Sequence, residues 1–303
     1  MNPCVLIIDR DQRSNEHLRG LLHPRFDVIV AATMNEADIF VRRMKFELIL
    51  VDFEIFKESD AALNASIMQH QATARIGLIS TPDTEHYLPF LLKWRCFHVL
   101  PKLPFYNARD VLLFVENILE PSNAFGLARY LSDEADWSRE RIANRSDKNR
   151  IIEDAVNYFA SCEYEIHELY DVRLIIEEAI NNALYHAFRD EQGGEKYRPD
   201  TFETLAIGEE MWMEYGSDAT TIGFSATDNR GDLSPEVIIN KLARQYNKEG
   251  LFDESGRGLY LARVFSSQII FNIEKKKRTQ IVCLFYEKRL NIPKPFSINF
   301  IDA

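Results

Sequence analysis

The chain reads as two α/β units of different kinds: a doubly wound parallel five-stranded sheet over about residues 1–120, then an α+β sandwich in the second half. Three observations lead there. Five short apolar runs, CVLIID, FDVIVA, ELILVDF, ARIGLIS and FHVLP, alternate with helix-like segments up to residue 120, and runs buried on both faces and joined by helices belong to parallel sheets. After about residue 147 two helical segments precede consecutive strand-like segments, an order typical of helices covering one face of an antiparallel sheet. With 303 residues the chain exceeds the roughly 250–300 at which single cores stop growing.

The first half supplies helices at SNEHLRGLL, EADIFVRRM and RDVLLFVENILE between its apolar runs, and the stretch FEIFKESD after Asp52 reads as a loop. From about 121 to 150 the composition turns polar, through PSN, SDEADWSRER and NRSDKNR, which predicts a connector and entry strand over 121–146 and then the helix entry of the next domain. The domain from 147 to 303 then offers helices at about 147–161 and 170–188, strands at EMWMEYG and TTIGFSATD, a glycine-containing region, the helix GLYLARVFSSQ, and two last strands, IIFNIEK and TQIVCLFYEK. The KKK run between those strands, Lys275 to Lys277, predicts an exposed hairpin tip.

Composition excludes several functions. A formal net charge of −11 with no sustained basic block argues against direct nucleic-acid binding by phosphate neutralisation. No run approaches the roughly 18 apolar residues of a membrane span, and MNPCVLIIDR lacks a signal-peptide layout, so a cytoplasmic protein without a membrane partner is expected. Cys4, Cys96, Cys162 and Cys283 lack metal-ligand or disulfide spacing and are expected to be reduced core residues.

Doubly wound sheets carry their functional residues just beyond the carboxyl ends of the strands. Those ends hold Asp9 and Asp11, Asp52, Ser80 with Thr81, and Lys102, so acids from two strands should converge near a lysine from another. Helix capping is the plainer use of some of these groups. The pattern resembles the receiver domain of two-component response regulators over residues 1–120. That resemblance implies Asp52 as phosphoacceptor, Asp9 in a Mg²⁺ site with Asp52, Ser80 as the switch hydroxyl and Lys102 as the phosphate-binding lysine. The family has a second acid directly after the first; here the order is Asp9-Arg10-Asp11, and Asp11 is the acid that could replace it.

In the second half, RLIIEEAINNALYHAF keeps three polar groups in one row. At about 100° per residue, Ile175, Ile176, Ala179, Ile180, Ala183, Leu184 and Ala187 form an apolar arc, with Glu177, Asn181 and Tyr185 opposite it, toward water. Asn182 and His186 fall at the edge of the arc and Glu178 one step outside, so the three should border a cleft or brace neighbouring backbone. Two further segments follow in order, TDNRGDL from 227 to 233 and SGRGLYLAR from 255 to 263.

Together these segments resemble the ATP-binding fold shared by gyrase, Hsp90, histidine kinases and MutL, most closely the anti-sigma-factor serine kinases, over roughly residues 125–290. What the resemblance implies is specific. Asn182 would ligate Mg²⁺, Glu178 would be the general base, Asp228 would accept the adenine amino hydrogen and Gly231 would let the chain pass close to the base. Gly256 and Gly258 would permit positive φ and close backbone approach at a helix start facing the phosphates, and His186 would pack structurally. Arg230 stands where that family often has glycine, and its side chain would turn outward or fill part of the adenine pocket.

The expected function is a response regulator whose output domain binds ATP and acts as a serine/threonine protein kinase, with ATP and Mg²⁺ as cofactors. Its expected partners are an upstream sensor histidine kinase and an anti-sigma-factor-antagonist-like protein or a sigma factor, with a homodimer as a further possibility. The alternative is a catalytically degenerate interaction switch, marked by Arg10 and Arg230. A hybrid histidine kinase would need His167 as its phosphoacceptor, without the usual helical hairpin around it.

Overall fold

The computed structural model describes residues 2–59, 62–80, 87–102, 108–162, 169–246, 257–286 and 294–302. Two compact units divide the chain, one of residues 1–121 with 291–297, the other of 122–290 with 298–303.

In the first unit β1 (Cys4–Ile8), β2 (Asp27–Ala31), β3 (Leu48–Asp52), β4 (Arg75–Ser80) and β5 (His98–Pro101) are parallel, in the order β2-β1-β3-β4-β5. All five residues of LILVD in β3 are buried, as continuous apolar runs covered on both faces require. The connecting helices are α1 (Gln12–Leu22), α2 (Met34–Arg43), α3 (Phe53–Ser59), α4 (Ala62–His70), α5 (Leu88–Trp94) and α6 (Ala108–Leu119). Val5, Ile7, Leu18, Leu50, Ile79 and Val115 form one core between sheet and helices.

Two features differ from the sequence reading. FEIFKES is helical, because Asp52 Oδ1 accepts from the Glu54 and Ile55 N–H groups at 3.1 Å each and starts a turn that buries Phe53, Ile55 and Phe56. Phe296 and Ser297 pair antiparallel with Val99 and His98 at the edge of β5, a pairing of distant segments that no local pattern marks.

The second unit holds β6 (Asp136–Arg141), α7 (Arg145–Ser161), α8 (Leu169–Asn181), β7 (Met211–Ser217), β8 (Thr221–Asp228), α9 (Pro235–Tyr246), α10 (Arg257–Phe265), β9 (Gln268–Glu274) and β10 (Arg278–Tyr286). Its strands are antiparallel in the order β9-β10-β8-β7-β6. Strand alternation gives this sheet two buried faces. On one, Leu127, Tyr130 and Leu131 of the 122–131 turns pack on Ile270, Val282 and Leu284. That face carries a buried carboxylate, Glu214, whose Oε2 accepts from the Leu127 N–H at 2.9 Å, Ser225 Oγ at 2.8 Å and Gln280 Nε2 at 3.1 Å. Helices α7, α8 and α10 pack together with the sheet. The β9–β10 hairpin turns at exposed Lys275–Lys277, with Lys276 at φ 60°.

Cys96 and Cys283 are buried, whereas Cys4 and Cys162 are only half-buried, which corrects their expected core placement; all four are free thiols. Among the described residues no helix is long and apolar enough to cross a membrane.

Candidate functional site

The first unit gathers its chemistry at the carboxyl ends of β1, β3 and β4 and at Lys102, which follows β5 directly. Asp9 is 1% exposed; its Oδ1 accepts from Lys102 Nζ at 2.6 Å and from the Asp11 N–H at 2.9 Å. Lys102 Nζ also lies 3.4 Å from Asp52 Oδ2, and the Lys102 N–H donates to the Ser80 carbonyl at 2.6 Å. Asp9, Asp52, Ser80 and Lys102 thus stand together. Partial burial pulls the Lys102 pKa down, but the hydrogen bond to Asp9 and the charges of Asp9, Asp52 and Asp11 outweigh it and raise it.

Asp11 is placed differently. Its Oδ1 caps α1, accepting from the Arg13 and Ser14 N–H groups at 2.9 and 3.2 Å, and its Oδ2 stays 4.0 Å from Lys102. Arg10 points away, bound to Glu58 through NH2–Oε2 at 2.5 Å and NH1–Oε1 at 3.2 Å. Among the described residues, the buried Asp9 Oδ2 and Ser80 Oγ at this site keep no hydrogen-bond partner. A buried carboxylate oxygen without a donor is costly, and a divalent cation at Asp9 and Asp52 is the kind of group that would satisfy it. Asp9 and Asp52 are the pair that would hold Mg²⁺; no group of three or more His, Cys, Asp or Glu gathers for a metal among the described residues.

In the second unit a cavity of about 260 Å³ is lined by Asn182, His186, Asp228, Asp232, Lys241 and Thr279 with apolar walls from Ala183, Ala226, Val237, Leu259 and Ile281. Asp228 ends β8 and is 4% exposed. Its Oδ1 accepts from the Arg230 and Gly231 N–H groups at 2.8 and 3.3 Å. Burial pushes its pKa up to about 6 against these hydrogen bonds.

Beyond Asn181 the helix widens into a π turn, Asn182–His186, of the kind common at functional sites. Asn182 Nδ2 donates to the Glu178 carbonyl at 2.8 Å, which leaves its Oδ1 without a hydrogen bond among the described residues, an oxygen of the ligand type that suits Mg²⁺. A wheel of 3.6 residues per turn cannot foresee this widening. Tyr185, expected to face water, is 5% exposed; its hydroxyl and Asn181 Oδ1 both accept from Lys148 Nζ of α7, at 3.0 and 2.8 Å. His186 does more than pack: it lines the cavity, with Nδ1 2.6 Å from Glu195 Oε1.

Glu178 does not line this cavity. It packs against Gly258, where an added Cβ would overlap the Glu178 carboxylate and stand 2.9 Å from its Cβ. Gly258 is a point of close approach between α10 and α8, and it does not have the positive φ expected of it. Gly231 does have positive φ, +67°, and a Cβ there would overlap the Glu274 carbonyl; it seats the turn on the β9–β10 hairpin. Arg230 turns away from the cavity. Its NH2 donates to Glu209 Oε1 at 3.0 Å and its guanidinium lies 5.2 Å from the Phe188 ring centroid. Gly256, Thr81 and His167 lie outside the described residues. The sequence reading missed Lys241, Glu195 and Glu209, which occupy no recognisable motif.

A parallel sheet with acids and a lysine at its carboxyl edge is a receiver-type fold, and the antiparallel domain carries an Asn- and Asp-lined cavity. Residues 143–284 match the family model of the histidine kinase-like ATPase domain. Among solved structures the chain is similar to a response regulator from Thermotoga maritima, with 22% identity over 39% of this chain and 98% of that one and a TM-score of 0.36. It is also similar to a CheY-like receiver domain protein from Methanospirillum hungatei JF-1, with 18% identity over 42% of this chain and 100% of that one at TM-score 0.35. The signal receiver domain of an HD domain-containing protein from Pseudomonas fluorescens Pf-5 shares 17% identity over 41% of this chain and 100% of that one, at TM-score 0.36. No curated protein matches the chain.

Proposed function

We propose that this chain is a cytoplasmic response regulator whose ATP-binding output acts as a serine/threonine protein kinase in a partner switch. The observation that carries the reading is that Asn182 and Asp228, from separate segments, line one cavity within the matched ATPase domain.

In the receiver, at residues 1–120, Asp52 would attack the phosphorus of a phosphohistidine on a sensor kinase, forming an O–P bond as the N–P bond breaks. Mg²⁺ bound by Asp9 and Asp52 would neutralise the phosphoryl oxygens. Lys102 would move from its pairing with Asp9 toward the new phosphate, and the unpartnered Ser80 hydroxyl would donate to it.

In the output domain, from 147 onward and reached through the 121–146 connector, Asp228 would accept from the adenine amino group. Asn182 Oδ1 would hold a second Mg²⁺ on the phosphates. Glu178 would take the proton of a serine or threonine hydroxyl as that oxygen attacks the γ-phosphorus and ADP leaves. The start of α10, with Gly256 and Gly258, would face the phosphates. The protein substrate would be an anti-sigma-factor-antagonist-like partner, with a sigma factor as the sequestered target and a homodimer as the working form.

One observation favours a second reading. Glu178 packs on Gly258 rather than lining the cavity, which suits a nucleotide-gated interaction switch without phosphoryl transfer. Incubation of the full chain with Mg²⁺ and acetyl phosphate, followed by intact mass, tests the receiver. One added phosphoryl group lost in Asp52→Asn supports it; an unmodified wild type contradicts it. ATP turnover that disappears in Glu178→Gln supports the kinase, and nucleotide binding without turnover in any partner mixture selects the switch.

A further inference from the structure

Two basic side chains besides His186 line the output-domain cavity among the described residues, Arg189 and the one lysine, Lys241. It lies on α9 one turn after Val237, which lines the same cavity, so both project from one face of the helix. The side chain is half-buried and makes no hydrogen bond or ion pair among the described residues. Three acids border the same space, yet none takes it. Glu195 Oε1 is committed to His186 Nδ1 at 2.6 Å, Asp228 Oδ1 to two backbone N–H groups, and neither Asp228 nor Asp232 stands within ion-pair distance of Lys241.

A lysine drawn partly out of water without a hydrogen-bonded partner loses hydration, and the charge of Glu195 returns only part of it. An anion entering the cavity would reverse that balance, because a charge-assisted hydrogen bond in a partly dry site is among the stronger polar contacts. We propose that Lys241 is the cation that binds the phosphate chain of the nucleotide, and that through it α9 distinguishes a polyphosphate from a bare nucleoside. Burial and the nearby Arg189 both lower the Lys241 pKa, against Glu195, so the ligand-free site already disfavours the lone charge. The inference rests on the nucleotide reading above and adds to it the group that selects the phosphates.

The experiment is a calorimetric titration of the full chain, as wild type, Lys241→Met and Lys241→Arg, with Mg²⁺-ATP, adenosine and inorganic tripolyphosphate. Met keeps the length of the stem and removes the charge. The expected result is a loss of about tenfold or more in affinity of Lys241→Met for ATP and tripolyphosphate, the size of one charged hydrogen bond, with adenosine affinity within about twofold of wild type and ATP affinity largely restored in Lys241→Arg. Unchanged adenosine binding also establishes that the variant is folded. ATP affinity equal in wild type and Lys241→Met overturns the assignment and leaves the nucleotide reading standing. A wild type that binds none of the three ligands overturns both.

Discussion

Arg230 donates to the buried carboxylate of Glu209 at 3.0 Å, and that pairing decides what an arginine does in a turn where the resembled fold has glycine. Glu209 is 3% exposed and also accepts from Lys196 Nζ at 2.7 Å and from the Tyr197 hydroxyl. Burial raises its pKa, but the bonds from Lys196, Tyr197 and the Ala206 N–H outweigh this, so the carboxyl stays below its ordinary value. The arginine is thus held outside the cavity. Arg230→Ala should leave ATP affinity within about threefold of wild type, since Glu209 keeps its other donors. Glu209→Ala should be the more damaging change, by about 1–3 kcal/mol of stability, because it removes the acceptor shared by the Tyr197 hydroxyl, the Ala206 N–H and Arg230. Calorimetry and urea unfolding separate the two.

Asp228 carries a cost that reverses with pH. Its folded pKa of about 6 lies above the unfolded value of 3.8, so the folded state holds more protons between those values and stability from this group falls as pH rises through the window. Above pH 6 the full penalty is present; below about pH 4 it is gone. Asp228→Asn, which keeps an acceptor for the Arg230 and Gly231 N–H groups, should therefore stabilise the ligand-free protein by about 1–3 kcal/mol at pH 7.5. The gain should shrink toward pH 4, while ATP binding is lost at both. Thermal unfolding across that range tests it; an equal increment at both ends would contradict the titration of Asp228.

Gly258 touches Glu178 closely enough that a methyl group cannot enter without moving one helix. Gly258→Ala should cost about 1–3 kcal/mol by overpacking. Gly258→Ala with Glu178→Ala should recover much of that loss, a coupling that a double-mutant cycle measures.

Lys102 is the only cation within 4 Å of Asp9 and Asp52 among the described residues. Replacing it by Met leaves two buried carboxylates uncompensated and should destabilise the first unit by about 3 kcal/mol. Added Mg²⁺ should return part of that stability by occupying the same carboxylates. Urea unfolding with and without Mg²⁺ reads both effects.

Much of this was legible in the sequence for a simple reason. Asp9, Asp52 and Asp228 each end an apolar strand, and a chain that leaves a parallel or antiparallel sheet at an acid declares the position without knowledge of its neighbours. Asn182 was legible because it broke an apolar arc. The helical wheel failed at Tyr185, where the π turn and the cover of α7 bring a nominally solvent-facing residue against Lys148. Arg230 could point either way until Glu209, twenty-one residues earlier, was seen to hold it. Lys241 looks like any polar-face lysine on an amphipathic helix, and only the cavity reveals it. The pairing of Phe296 and Ser297 with β5 joins segments about 199 residues apart, and nothing local encodes such a partner.

The central claim is that Asn182 and Asp228 line a nucleotide site, and titration of Mg²⁺-ATP into the full chain, with Asn182→Ala and Asp228→Ala alongside, tests it most directly. Saturable binding by wild type that is lost in both variants, with each variant shown folded by circular dichroism, is the predicted result. Wild-type protein that takes up no ATP, or variants that bind it as tightly as wild type, would contradict the assignment.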